Sequence, residues 1–187
     1  MEKLSGFFQS FGETTRHKIL SLFHRKELVR GEYFVRTGKI NTHLAFVEEG
    51  VFQFFLNHER GEVTVYLAMG NYFIASIESF LNQIPSKENI RALTSAIVWL
   101  ISKHHFDELL RECAEFKTFY IQLLEHHIIC VDNNRRDLIC MTAEERYEKL
   151  LIKEPNLLQK IPLQYLASIL GITPRHLSRI RRNIQQK

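Results

Sequence analysis

The order of patterns along this chain predicts an α+β protein: short N-terminal helices, a small antiparallel sandwich or rolled barrel, then helices to the C-terminus. Three observations predict it. Between Lys26 and Ser102, apolar and polar residues alternate in short runs separated by glycine. From Phe106 onwards the apolar spacing lengthens to that of a helix. Residues 161–187 then hold two short amphipathic patterns hinged at Gly171.

In chain order, residues 1–23 read as short helices, with Thr14 or Thr15 as a cap and Ile19, Leu20 and Phe23 on one side. Arg30–Glu32 and Thr37–Lys39 punctuate the first strands. Leu44 and Phe46 alternate, as do Phe52, Phe54 and Leu56 after Gly50. His58–Gly61 reads as a hairpin loop before Val63, Val65 and Leu67, and Gly70-Asn71 as another turn. Residues 89–94 and 96–101 complete the strands. Residues 74–87 break the alternation: Ile77, Phe80 and Leu81 have helical spacing, and Pro85 is expected to end the segment. An inserted helix there is either a ligand site or a surface crossover.

A short helix is expected from Phe106 to about Glu112, and a long one from about Glu115 to Ile139. The long helix carries two apolar stripes. Phe116, Tyr120, Leu123 and His127 form one; Ile121, Leu124, Ile128, Val131 and Leu138 form the other. Two stripes suit a helix that packs on its own domain and also on a second copy of itself; full burial within one chain is the alternative. His127 is expected to be packed and His126 exposed. Thr142–Glu145 is a capping-box pattern opening a helix to about Lys153, stopped at Glu154-Pro155. The domain boundary falls near Cys140–Met141.

The last segment carries the functional signal. Ala167 is small where two helices would cross, Gly171 can turn the chain, and Leu166, Leu170, Ile172, Leu177 and Ile180 supply the buried contacts. Pro174 suits a first helical position with Thr173 as its cap. Residues 161–187 have a net charge of +5 within a chain of +4, so the rest sums to −1. A near-neutral body with a basic tip suits double-stranded DNA. The candidate DNA contacts are Thr173, Arg175, His176, Ser178, Arg179, Arg181 and Arg182. Two bland readings compete: a solvated helical corner, or a sensor module whose terminal helices bind protein.

Several classes are disfavoured. No apolar run is long enough to span a bilayer, and the N-terminus lacks the apolar core of a signal peptide. Cys113, Cys130 and Cys140 form no paired motif, which argues for packing roles in a reducing cytoplasm and against a disulfide scaffold, a structural zinc site or a four-cysteine iron–sulfur cluster. His104-His105 and His126-His127 point about 100° apart on a helix and chelate one metal poorly. No phosphate loop, catalytic carboxylate pair or nucleophile elbow marks an enzyme, and no cofactor is expected.

Lys26–Gly38, Phe46–Gly50, Asn89–Thr94, Thr142–Tyr147 and the terminal corner together resemble the Crp/Fnr family of bacterial transcription regulators, over nearly the whole chain. The resemblance implies a jelly-roll-like β-roll sensor domain at 1–113, a long dimerisation helix at 114–140 and a helix-turn-helix DNA-binding domain at 141–187. It implies a cytoplasmic homodimer on a palindromic operator, with RNA polymerase as a further partner and no membrane. Tyr120, Leu123, Leu124, His127, Ile128 and Val131 would face the dimer helix. Pro174, Arg175, Ser178 and Arg179 match the base-reading positions, although Pro174 has no hydrogen-bonding tip.

Two departures qualify this. Cyclic-AMP-binding members open the inserted segment with Gly-Glu and close it with Arg-Ser or Arg-Thr. Here Ala75-Ser76 and Ser86-Lys87 stand at those places, so neither the ribose acceptor nor the phosphate guanidinium is matched. Ser76, Ser86 and Lys87 remain the candidate effector-pocket residues, for an effector other than cyclic AMP or for none. Phe52, Phe54, Phe55, Tyr66, Tyr72, Phe73 and Phe80 could line an apolar pocket, though such residues are more often core. The few residues after Arg182 are too short for the β-wing common in the family, leaving Arg181, Arg182, Lys187 and helix N-termini as phosphate contacts.

Overall fold

A computed structural model describes residues 1–59, 61–153 and 161–185. The expected helix stop at Glu154-Pro155, the lead-in at 156–160 and Lys187 lie outside the described residues. Two compact units divide the chain at Ile121/Gln122.

The first unit opens with α1 (Glu2–Gly6) and α2 (Glu13–Ser21). Eight strands follow: β1 (His24–Leu28), β2 (Tyr33–Val35), β3 (His43–Glu49), β4 (Val51–His58), β5 (Gly61–Met69), β6 (Tyr72–Ile74), β7 (Asn89–Ala92) and β8 (Ala96–Ser102). They form two four-stranded antiparallel sheets, ordered β1-β8-β3-β6 and β2-β7-β4-β5. Helix α3 (Ile77–Asn82) is inserted between β6 and β7, and α4 (Lys103–Glu112) follows β8 directly.

Period-two alternation explains both faces of the first sheet. Ala45 and Val47 of β3 and Ala96, Val98 and Leu100 of β8 point inward, meeting Phe52, Phe54, Ile90 and Ala92 between the sheets. Phe46 and Ile101 point outward, where Leu4, Phe8, Ile19, Phe106, Leu109 and Phe116 cover them. The helices therefore bury one outer sheet face, giving a second core rich in edge-to-face aromatic pairs. Gly50 joins β3 to β4 at φ +106, and a Cβ there would sit 2.5 Å from Ala96 Cβ. Close strand approach and the left-handed backbone together require glycine at that corner.

Several sequence expectations are altered locally. Helix α2 begins after Gly12, which caps it without a side-chain bond, so Thr14 and Thr15 lie inside its first turn. Helix α4 starts at Lys103, because Ser102 accepts from the His105 N–H at the strand end. In the β4–β5 hairpin the pairing slips between Phe54↔Tyr66 and Phe55↔Thr64. That bulge turns Leu56, Val63 and Val65 outward and buries Thr64, whose hydroxyl accepts from Gln53 Nε2. Helix α3 stops at Asn82 because Gln83 adopts the left-handed conformation (φ 54); Pro85 instead bridges Ile40. Its Phe80 is buried, while Ile77 and Leu81 are exposed.

Helix α5 (Ala114–Cys140) spans both units. The second unit adds α6 (Ala143–Lys153), α7 (Leu163–Ile169) and α8 (Pro174–Gln185). The capping box forms as expected: Thr142 N–H donates to Glu145 Oε2 at 2.7 Å, and Glu145 N–H to Thr142 Oγ1 at 3.3 Å. These bonds hold the Glu145 carboxyl below the usual glutamate range.

Candidate nucleic-acid interface and effector region

The corner between α7 and α8 is built by backbone geometry and five apolar side chains. Gly171 has φ +67. Its N–H donates to Ser168 O at 3.0 Å, and the Ile172 N–H to Ala167 O at 3.0 Å, the paired bonds of a Schellman stop. Leu166, Ala167, Leu170, Leu177 and Ile180 are buried; Ile172 is half-buried. Thr173 Oγ1 accepts from the His176 N–H at 3.2 Å, and Pro174 is the first helical residue.

That arrangement leaves Arg175, Ser178, Arg179 and Arg182 exposed along α8, with Thr173 exposed at its start and His176 half-buried. Ser178 donates to Pro174 O at 3.0 Å, so its hydroxyl oxygen remains an acceptor. Helix α8 has no acidic residue in its first turn. Arg175 instead places a cation there, where the helix dipole opposes it. Arg181 departs from the sequence expectation: it is half-buried, and its Nε donates to the buried Tyr147 hydroxyl at 3.1 Å. That bond ties α8 to α6.

Helix α5 begins anchored and continues bare. Phe116 is buried, and Tyr120 meets Phe106 edge-on at 5.1 Å. Beyond them Ile121, Ile128, Val131 and Leu138 are exposed, while Leu123 and Leu124 are half-buried. Positions 121, 124, 128, 131, 135 and 138 alternate three and four residues apart, the spacing of a coiled-coil seam. Only Arg135 interrupts its apolar character. His127 is exposed, contrary to the packing role expected of it. Cys113 has the packing role expected of it, set against the aromatic core, whereas Cys130 is only half-buried, 3.4 Å from His126 Nε2, and Cys140 is exposed.

The residues expected to line an effector pocket bond mainly to their own chain. Ser76 and Ser86 are buried, with their hydroxyls 2.9 Å apart. Ser86 Oγ also lies 2.7 Å from Glu88 O. Asn41 Oδ1 accepts from the Ser76 N–H at 2.8 Å, and Ser79 Oγ from the Asn41 N–H at 2.9 Å. Lys87 points away, paired with Glu78 at 2.9 Å on the surface. Among the aromatics, Phe52 and Phe54 belong to the inter-sheet core, Phe73 and Phe80 to the second core, Phe55 is buried, and Tyr66 and Tyr72 are exposed. A concavity of about 240 Å³ lies beside this region, lined by Tyr33–Arg36 and Lys39–His43. Among the described residues no three His, Cys, Asp or Glu side chains converge as a metal site.

Burial pushes the Glu88 carboxyl up, partly offset by a hydrogen bond from Ser76. An acid whose folded-state pKa is raised contributes stability below its ordinary range and loses it as pH rises through the folded value. Glu88→Gln is therefore expected to raise the melting temperature at about pH 7.5 and to lose that advantage at about pH 4. Thermal melting of both proteins at the two pH values checks this.

The capping box, the terminal corner and the two faces of α5 could be read along the chain. Asn41, Arg146 and Tyr147 could not, because each acts on residues distant in sequence. Arg146 stands inside the capping-box stretch, where nothing local signals its bond to Leu170 O, 24 residues on.

Residues 25–113 match the family model described as the cyclic nucleotide-binding domain. No curated protein matches the sequence. Among solved structures, FixK2 from Bradyrhizobium japonicum superposes with a TM-score of 0.75 at 12% identity, over 88% of this chain and 85% of that one. The c-di-GMP-responsive global regulator CLP of Xanthomonas campestris gives 0.72 at 16% identity, over 94% and 92%. A putative Crp/Fnr-family transcriptional regulator from Eubacterium rectale gives 0.72 at 16% identity, over 96% and 86%. Among the described residues no helix is long and apolar enough to cross a membrane. Residues 25–113 thus match the cyclic nucleotide-binding domain, and the chain has the α+β fold of these solved regulators.

Proposed function

We propose that this chain is a cytoplasmic, homodimeric, sequence-specific DNA-binding transcription regulator without catalytic activity. One observation carries the reading: Arg175, Ser178, Arg179 and Arg182 share the exposed face of a capped helix whose other face is locked into a tight corner. A cation in the first turn of α8 opposes the helix dipole, so its placement favours an anionic or acceptor-rich partner. Arg175 and Arg179 would donate to guanine O6 and N7, while Arg182 and Thr173 would meet phosphates. His176 would sit at the margin of that contact. Residues 1–113 would sense, 114–140 pair the subunits, and 141–187 bind DNA.

Pairing supplies the second half-site. The seam from Ile121 to Leu138, bare from Ile128 onwards, suits a parallel two-stranded coil, with isoleucine at two of its a positions and leucine or valine at d. A signal in the β-roll would change how the α5 helices pack and so re-aim α8, a shift between two populations.

The effector would not be cyclic AMP. The Ser76 and Ser86 hydroxyls lie 2.9 Å apart and Lys87 is engaged by Glu78, so these positions offer neither the guanidinium nor the carboxylate that a cyclic phosphate and ribose would need. Operator affinity is expected to change less than about twofold on saturation with cyclic AMP. A tenfold increase would contradict that part of the reading.

The test of the DNA reading is selection of duplexes from a random pool by the full chain. Enrichment of an inverted repeat, bound with steep salt dependence, is the expected outcome. A pool with no enrichment after repeated rounds would contradict it.

A further inference from the structure

We propose that Arg146 is a positioning residue that clamps the recognition corner to the end of the long helix; the inference rests on the DNA-binding reading above. Arg146 stands one turn into α6. Its Nη1 donates to Met141 O at 2.6 Å and its Nη2 to Leu170 O at 2.7 Å. Met141 directly follows the last residue of α5, and Leu170 is the C-cap of α7. Both carbonyls stand at helix carboxyl ends, where acceptors lack intrahelical partners and the dipole is negative.

A guanidinium is a rigid planar fork, so two bonds from its terminal nitrogens fix the separation of the two carbonyls. Leu170 immediately precedes Gly171, and α8 begins at Pro174. Setting the Leu170 carbonyl therefore sets the first turn of α8, where Arg175 projects. The third donor nitrogen, Nε, is buried and has no partner among the described residues. A buried N–H left unpaired is costly, and the two charge-assisted bonds offset that cost only while both carbonyls stay in place. A displacement at the end of α5 would thus be passed to the recognition corner through one side chain.

The experiment compares the full chain with Arg146→Met and Arg146→Lys. The first readout is hydrogen exchange at the Gly171 and Ile172 amides, which requires no DNA. The second is the ratio of affinities for the selected duplex and a random duplex, measured beside thermal melting. The clamp predicts at least tenfold faster exchange at those two amides in both variants. It also predicts at least a tenfold fall in the affinity ratio, with random-duplex binding held within about twofold. Lysine keeps the charge but cannot hold both carbonyls as a fork, so it should not rescue; should Arg146→Met fail to fold, Arg146→Lys alone decides. Retention of discrimination within twofold by a folded Arg146→Met, or full rescue by Arg146→Lys, would overturn the proposal. Unchanged exchange in the variants would overturn it as well. A wild-type chain without duplex discrimination would sink the DNA-binding reading instead, and the exchange data would still decide the clamp.

Discussion

Ile128→Asp in α5 is expected to turn the protein into a monomer and to lower operator affinity more than about 100-fold. Ile128 is 65% exposed in the single chain and stands at the centre of the 121–138 seam. In a two-stranded coil the substitution buries two like carboxylates against each other. The cost is on the order of 4 kcal/mol, a factor of about 1,000 in the dimer constant. Sedimentation equilibrium reads the assembly state, and titration of the selected duplex reads the affinity. Ile129→Asp provides the control. Ile129 is 59% exposed, almost as bare, yet lies off the seam, so its replacement should leave the dimer intact. If both variants dimerise like the wild type, the seam is not the subunit contact.

Arg175→Ala is expected to remove most operator preference while leaving non-specific binding nearly intact. A bidentate arginine–guanine contact discriminates by about 1–3 kcal/mol, and a two-fold protein makes it twice. At the lower bound that amounts to roughly a 30-fold loss across the full site. Arg182→Ala should behave differently, weakening every duplex to a similar extent and flattening the salt dependence. The contrast matters because both residues are exposed cations on one helix, about two turns apart. An Arg175→Ala protein with unaltered preference would show that α8 does not present its N-terminal side chains to the bases.

Much of this architecture was legible in the sequence because local rules and tertiary structure agree. The Thr142–Glu145 box, the Thr173 cap, Pro174 and Gly171 all act within four or five residues, and all form as read. The stripes of α5 part as read only in part: Phe116 and Tyr120 pack on the aromatic core and Ile128, Val131 and Leu138 are bare, but His127 of the first stripe is exposed too. Errors arise where a distant partner overrides the local pattern. The β4–β5 bulge inverts Val63 and Val65 because Thr64 is drawn to Gln53, a preference no alternation rule contains. Helix α3 ends at left-handed Gln83, whose amide donates to Phe80 O and Asn41 O, ahead of the proline that would have stopped it.

The effector region was legible only as an absence of the expected pairs. That Ser76 and Ser86 would close on each other, with Asn41 beneath them, depends on the roll bringing three segments together. The bond of Arg181 was hidden for a similar reason: the sequence offered it only as a phosphate contact, and its partner Tyr147 on α6 is remote along the chain.

In the proposed regulator, two copies of the α7–α8 corner read DNA together. This is tested most directly by binding the full chain to inverted repeats whose half-site spacing is varied one base pair at a time. Affinity should peak where the half-site centres lie about 10–10.5 base pairs apart, or a whole multiple, and collapse on insertion of about five more. Affinity indifferent to spacing, or unchanged between about 50 and 200 mM salt, would contradict it.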